Sequence, residues 1–354
     1  MSNYLPNTSL TTLSIGSKIY AYSQTFHGQL REVQGRLQTE KNRIYYSEGY
    51  TTISPTARWR DPPDIEPGAP KMFTPLAAAS IAETRYLIYV SDDNILFDVV
   101  YENGGWKPGT LSQAKMPDGR TGVRCATYSK LAAATVTFNR GSMICVYYQK
   151  PDHEGPVGMV AYAPAKGGWI TDLAKVLGIV TDLKDPPLYA TSLTAVKPRK
   201  GLTLPREPGV QPEIEELPVV YFQWETNALA HGQGTNLAPI PGLEKLALSP
   251  HTSLTAVDDG TNLYCFYKSN DNSIRMIRIE GGIAKPATDK LIGTPTPRSS
   301  IAAVMPLQHQ DRIILIYQVW ESGKSEKVEI KAKTLAKQPD STWSPIHETR
   351  LVTD

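Results

Sequence analysis

The side chains able to do chemistry are thinly spread along this chain. The six histidines are scattered, and neither an HExxH nor a GxSxG pattern occurs, so zinc hydrolysis and elbow-type serine catalysis lack their usual arrangement. Asp92-Asp93-Asn94 and Asn270-Asp271-Asn272 carry the oxygen ligands that calcium prefers. Acidic and amide residues clustered between apolar runs are, however, the ordinary composition of hairpin turns, and that reading is favoured. Gly232-Gln233-Gly234 opens no helix and cannot cradle a phosphate. Cys125, Cys145 and Cys265 are odd in number and widely spaced, with no CxxC pair, and two of them sit in apolar runs; they are read as buried free thiols, and no metal site is expected. His231 stands out among the histidines because it lies on the same hairpin as Trp224.

Composition narrows the classes further. With 37 basic and 35 acidic residues the net charge is +2, and the longest basic run is Lys197-Pro198-Arg199-Lys200, so a nucleic-acid partner is not expected. No window of eighteen apolar residues occurs, which removes a helical membrane span. Residues 1–7 show neither a basic nor an apolar leader segment, and a cytoplasmic location is expected. Apolar residues at 40% suffice for a folded core, and 26 Gly with 28 Pro indicate many turns.

Those turns punctuate short runs of β-branched and aromatic residues. Only Thr171 to Leu177 and Thr334 to Gln338 read as brief helix. A first strand with small residues recurs at Leu10-Thr11-Thr12-Leu13, Leu76-Ala77-Ala78-Ala79, Leu131-Ala132-Ala133-Ala134, Leu193-Thr194-Ala195-Val196, Leu254-Thr255-Ala256-Val257 and Ile301-Ala302-Ala303-Val304. Each copy precedes an aromatic-rich strand, such as Tyr20-Ala21-Tyr22-Ser23-Gln24 or Cys145-Val146-Tyr147-Tyr148-Gln149, then a polar turn and a third strand. Some repeats close on a tryptophan, as at Gly104-Gly105-Trp106, Gly167-Gly168-Trp169 and Ser341-Thr342-Trp343. Six repeats of this kind predict an all-β, six-bladed β-propeller spanning residues 1–354 as one domain, its small residues lining the crowded axis.

The repeats resemble the fungal fucose-specific lectins, six-bladed propellers with ligand pockets between neighbouring blades. The likeness is carried by Lys71-Met72-Phe73-Thr74-Pro75-Leu76-Ala77-Ala78-Ala79, Asp93-Asn94-Ile95-Leu96 and Val146-Tyr147-Tyr148-Gln149-Lys150, most of it in blades one to three. In that family a pocket takes an arginine four residues before the glutamine of the second strand, a glutamate on the third strand, and an aromatic ending the first strand of the next blade. Here the arginine positions read Tyr20, Tyr86, Cys145, Val219, Tyr264 and Ile314. The glutamate positions read Glu32, Asp98, Met159, His231 and Met276, with Glu326 or Val328 in blade six, and the aromatic positions Ile15, Ile81, Val136, Pro198, Asp259 and Pro306.

Replacement of the sugar-gripping set by phenols and apolar groups implies remade, more apolar pockets. The chain thus resembles a branch of lectin-like propellers in fungal natural-product pathways that act as intermolecular hetero-Diels–Alderases, joining a tropolone-type ortho-quinone methide to a humulene-type sesquiterpene. The resemblance implies small apolar substrates, no cofactor, Tyr20, Tyr86, Tyr264 and His231 as catalytic donors, and Trp59, Trp224, Met159, Met276, Glu32 and Asp98 as pocket residues. A carbohydrate-binding lectin of altered specificity is the alternative, and a propeller without a small ligand the third reading. Residues 51–70 and 197–216 are insertions against the lectin pattern, and a homodimer is left open.

Overall fold

Residues 5–38, 43–46, 51–53, 68–138, 141–151, 157–173, 187–197, 217–224, 228–233, 236–243, 246, 248–320, 327–340 and 342–351 are described in a computed structural model of the protein. They form six antiparallel sheets whose strands are consecutive in sequence. Blade one comprises Thr11–Ile15, Lys18–Gln24, Leu30–Gln38 and Arg43–Tyr46, with Thr51–Thr52 added beside the third strand. Blade two runs Ala77–Ile81, Thr84–Val90, Leu96–Glu102 and Gly105–Pro108, and blade three Leu131–Phe138, Gly141–Gln149, Val157–Ala163 and Gly168–Ile170. Blade four is Thr194–Val196, Val219–Gln223, Leu229–Gln233 and Asn236–Pro239, and blade five Leu254–Asp258, Leu263–Lys268, Ile274–Glu280 and Ile283–Gly293. Blade six is Ile301–Val304, Arg312–Trp320, Val328–Lys337 and Trp343–Arg350.

The six-bladed ring is as expected, and the first strands begin within one residue of the predicted starts. Residues Thr334 to Lys337, expected as helix, instead continue the third strand of blade six, paired along both edges. The tertiary ladder overrides a weak local signal there. The other expected helix is described only to Leu173, and most of both insertions, including Trp59, lies outside the described residues. The two polar triplets are hairpin turns with Asn94 and Asn272 left-handed at φ 58° and 61°, a conformation asparagine tolerates. All three cysteines are buried free thiols. Among the described residues, no helix is long and apolar enough to cross a membrane.

The first strands surround an axial cavity of about 110 Å³ lined by residues 10–12, 76–78, 131–133, 193–195, 254–256 and 301–303. Side chains on a strand alternate between faces, so each second strand feeds two cores. Ile19 and Ala21 join the apolar cluster with blade six, whereas Tyr20 and Tyr22 join that with blade two. Ile144 and Val146 likewise face blade two while Cys145 and Tyr147 face blade four. Six such clusters each bridge one pair of neighbouring blades, so the core is distributed between blades.

A repeated polar latch sets the spacing. The hydroxyls of Thr8, Thr74, Ser129, Thr191, Thr252 and Ser299, two residues before each first-strand repeat, accept the backbone N–H of Gln24, Val90, Gln149, Gln223, Lys268 and Gln318 at 2.8 to 3.0 Å. The buried glutamines then reach the next blade. Gln24 Nε2 donates to Lys71 O (3.0 Å), Gln149 Nε2 to Leu188 O (3.3 Å) and Gln223 Nε2 to Ser249 O (2.9 Å), and Gln223 Oε1 accepts Thr252 N–H (2.8 Å). Gln318 Nε2 donates to Leu5 O at 2.9 Å and closes blade six onto blade one without exchange of a strand.

Replacing Gln223 by Leu removes its two side-chain bonds to the loop ahead of blade five and leaves Thr252 N–H and Ser249 O only their mutual bond at 3.1 Å. A loss of about 1–3 kcal/mol is expected in urea unfolding, at about 0.5–1.5 kcal/mol for each of the two bonds lost.

Candidate functional site in the clefts between blades

The residues that replace the lectin glutamates occupy one register. Glu32, Asp98, Met159, His231 and Met276 lie opposite Tyr22, Ile88, Tyr147, Tyr221 and Phe266, the third residue of each aromatic-rich run. In blade six that register falls on Ala332, opposite Ile316, and on neither Glu326 nor Val328. The aromatic wall also differs from the expected first-strand position. It is supplied by the fourth strand of the following blade, through Trp106, Trp169 and Trp343.

Two clefts share one plan, and a third keeps part of it. Between blades one and two, Glu32 receives Arg85 Nε on Oε2 and Nη2 on Oε1, both at 3.0 Å, with the two side chains each 6% exposed. The guanidinium carbon lies 4.1 Å from the Tyr20 ring centre, 3.7 Å from that of Tyr101 and 5.5 Å from that of Trp106. Trp106 also meets Tyr22 edge-on at 6.1 Å. Burial raises the pKa of Glu32, with Arg85 opposing, and burial pushes Tyr22 well above the ordinary phenol range. Burial is the largest influence on Arg85 and works against its charge, but the Glu32 carboxylate together with Tyr22 and Tyr20 more than offsets it, and the arginine pKa is raised.

Between blades two and three the same places hold Tyr86, Asp98, Tyr162 and Trp169, with Ile144 where Arg85 would stand. The Tyr86 and Tyr162 rings are 5.1 Å apart, and Tyr162 lies 5.3 Å from Trp169. Asp98 Oδ1 accepts Leu111 N–H at 2.8 Å, and burial pushes this carboxyl up to about 6. The Trp169 indole N–H lies near enough to favour the ionised form, yet it makes no hydrogen bond by geometry. Between blades five and six, Met276 takes the carboxylate place beside Tyr264, Leu335 and Trp343 in a fully apolar cluster. Tyr264 hydroxyl there donates to Asp259 Oδ2 at 3.1 Å, which also receives Lys337 Nζ at 2.9 Å.

The remaining clefts lack this plan. Met159 is filled core among Cys145, Tyr147, Val220 and Phe222, with Trp224 packed on that cluster. His231, 4% exposed, has its ring centre 5.8 Å from that of Tyr221, and its Nδ1 makes no hydrogen bond. Burial pulls its pKa down to about 4. Tyr20, Tyr86, His231 and Tyr264 therefore belong to four different clefts and do not converge on one reacting centre.

Arg85 is the residue that sequence reasoning missed. It precedes the second-strand position inspected by one residue and so points to the opposite face, back toward blade one. Its counterparts are Ile19, Ile144, Pro218, Leu263 and Ile313, and an arginine in that apolar column is the signal that would have found it.

A family model described as fungal fucose-specific lectin matches residues 5–174, the first three blades. No curated protein sequence matches the chain. Among solved structures, a mutant Aleuria aurantia lectin in complex with alpha-methyl-L-fucoside is similar over 100% of this chain and 98% of its own, at 19% identity and TM-score 0.66. The chain has the fold of these lectins. AofleA from Arthrobotrys oligospora is similar over 99% of this chain and 90% of its own, at 16% identity and TM-score 0.64. A Trypanosoma rangeli sialidase in complex with sialic acid is similar over 92% of this chain and 54% of its own, at 10% identity and TM-score 0.50.

Two measurements probe these clefts. Glu32→Leu or Arg85→Leu alone should cost ~3–5 kcal/mol in denaturant unfolding, because each strands a buried charge, while the double variant should cost clearly less than their sum. His231 titrates lower in the folded than in the unfolded chain, so acidification from pH 6.5 to about 4 protonates only the unfolded state and destabilises the protein. Relative to His231→Gln, the wild type should lose up to ~3 kcal/mol over that window, at ~1.4 kcal/mol per tenfold change in proton affinity. Asp98 acts with the opposite sign there, which is why the difference between the two proteins is the quantity to read.

Proposed function

We propose that the chain is a carbohydrate-binding propeller of altered specificity, holding a hydroxyl-bearing ring at the mouth of the cleft between blades one and two. The carrying observation is the buried Glu32–Arg85 pair beneath half-buried Tyr101 and Trp106. Such a pair offers charge-assisted hydrogen bonds to hydroxyls, and the indole and phenol faces suit the apolar side of a sugar. Glu32 takes two of the five guanidinium N–H groups, leaving three as donors. The relatives of known structure that were solved with alpha-methyl-L-fucoside support a sugar ligand, as does the family match. Specificity differs because the arginine comes from the opposite wall of the cleft, which redirects its donors.

A second reading rests on a separate observation. In the cleft between blades five and six, the Tyr264 phenol stands in a box of Met276, Leu335 and Trp343 that carries no charge on its third-strand position. Cofactor-free hetero-Diels–Alder addition of an ortho-quinone methide to a humulene-type sesquiterpene needs two apolar partners held in a reactive pose and one donor for the developing oxygen charge. Tyr86, Met159, His231 and Trp224 line other clefts under this reading.

Isothermal titration with L-fucose and methyl fucoside, together with a glycan array, separates the two. The lectin reading expects saturable glycan binding that Trp106→Leu weakens at least tenfold with little change in melting temperature. Silence across all glycans, or wild-type affinity in Trp106→Leu, would remove it. Turnover of a quinone methide precursor with a terpene, lowered by Tyr264→Phe, would then establish the second reading.

A further inference from the structure

The cleft between blades one and two contains, in effect, its own ligand. A guanidinium contributed by the chain lies against a carboxylate and between aromatic rings, which is the arrangement that recognises organic cations. The next cleft repeats that box position by position, with Tyr86 for Tyr20, Asp98 for Glu32, Tyr162 for Tyr101 and Trp169 for Trp106. The cation is replaced by Ile144, and Tyr22 beside the carboxylate by Ile88. From this juxtaposition we propose that the cleft between blades two and three is a binding site for a small organic cation, an alkylammonium or alkylguanidinium group, held by the Asp98 carboxylate between Tyr86, Tyr162 and Trp169.

Three observations carry the assignment. Among the described residues no lysine or arginine pairs with Asp98, which is 4% exposed and has the Leu111 N–H as its hydrogen-bond donor. An uncompensated buried carboxylate is costly, and its elevated pKa of about 6 reports that cost. A bound cation supplies the missing counter-charge. The aromatic walls touch one another in this cleft, Tyr86 against Tyr162 at 5.1 Å, whereas Tyr20 and Tyr101 stand by the guanidinium at 4.1 and 3.7 Å. Entry of a cation therefore parts Tyr86 from Tyr162 and rebuilds the geometry already present next door. Tyr162 and Trp169 are half-buried, which places the entrance on their side. The proposal is independent of whether the neighbouring cleft binds sugars, since neither its residues nor its probe is shared with that test.

The experiment is calorimetric titration of the full chain at pH 7.5 with butylammonium chloride and methylguanidinium chloride, and with butan-1-ol as the neutral counterpart. Saturable one-to-one binding of both cations with a Kd on the order of millimolar is expected, a few kcal/mol being what one ion pair and two or three ring faces supply. Asp98→Asn, which keeps an oxygen for Leu111 N–H, should weaken both cations at least tenfold, as should Trp169→Leu, with the melting temperature of each variant showing that it is folded. Absence of saturation with either cation, equal affinity for butan-1-ol, or unchanged cation affinity in Asp98→Asn would each overturn the assignment.

Discussion

Each blade is buried on both faces, and the rest of the structure follows from that constraint. A four-stranded antiparallel sheet in isolation can leave one face in water, but in a closed ring every sheet is pressed between two others. The second strands are accordingly buried along almost their whole length, and neighbouring residues on them belong to different cores. A polar group on these strands is costly unless the adjacent sheet supplies a partner, as Glu32 does for Arg85. The ring therefore turns every inter-blade cleft into a place where chemistry must be balanced between two blades.

The hydroxyl and glutamine latches solve the same problem at the strand ends. Where a second strand leaves its sheet, its backbone N–H turns to a Thr or Ser from the loop ahead of its own blade. The glutamine side chain then ties that point to the loop of the next blade. Spacing between blades is thus set by directional bonds, whereas the apolar clusters supply non-directional attraction. Ring closure uses the same device through Gln318 and Leu5, so the junction of the two ends of the ring is built like those that leave blades one, three and four, whereas Val90 and Lys268 stand at the glutamine place in blades two and five.

The fold was legible because it repeats: small first strands, aromatic second strands and polar turns recur six times, and repetition survives noise that would hide a single element. Register was legible too, since Glu32, Asp98, Met159, His231 and Met276 all fall on the residue predicted for them. Blade six failed, because the longer turn there hides where the third strand begins, and the ladder alone reveals Ala332 as the counterpart. The short helix read at Thr334 to Gln338 failed for a related reason, that a weak local preference cannot compete with a strand paired on both sides. Arg85 was invisible for a geometric reason. Comparison with lectins inspects the residue facing forward into the next cleft, and a period of two sends its neighbour backward into the previous one.

That shift by one residue explains why three similar clefts differ so sharply in chemistry. With a second-strand Tyr and a fourth-strand Trp kept in each, and Leu335 in the third where Tyr101 and Tyr162 stand in the others, the forward wall contributes Glu32, Asp98 or Met276 and the backward wall Arg85, Ile144 or Ile313. The pairs are balanced in the first cleft, unbalanced in the second and absent in the third. A carboxylate without a cation and a methionine without either cannot be maintained by the same force as an ion pair: the first depends on backbone donation from Leu111 and a raised pKa, the second on apolar burial alone. One architecture thus offers a neutral polar cleft, an anionic cleft and an apolar cleft at different junctions of the ring, and the charge of each is set by one position on the forward wall and one on the backward wall.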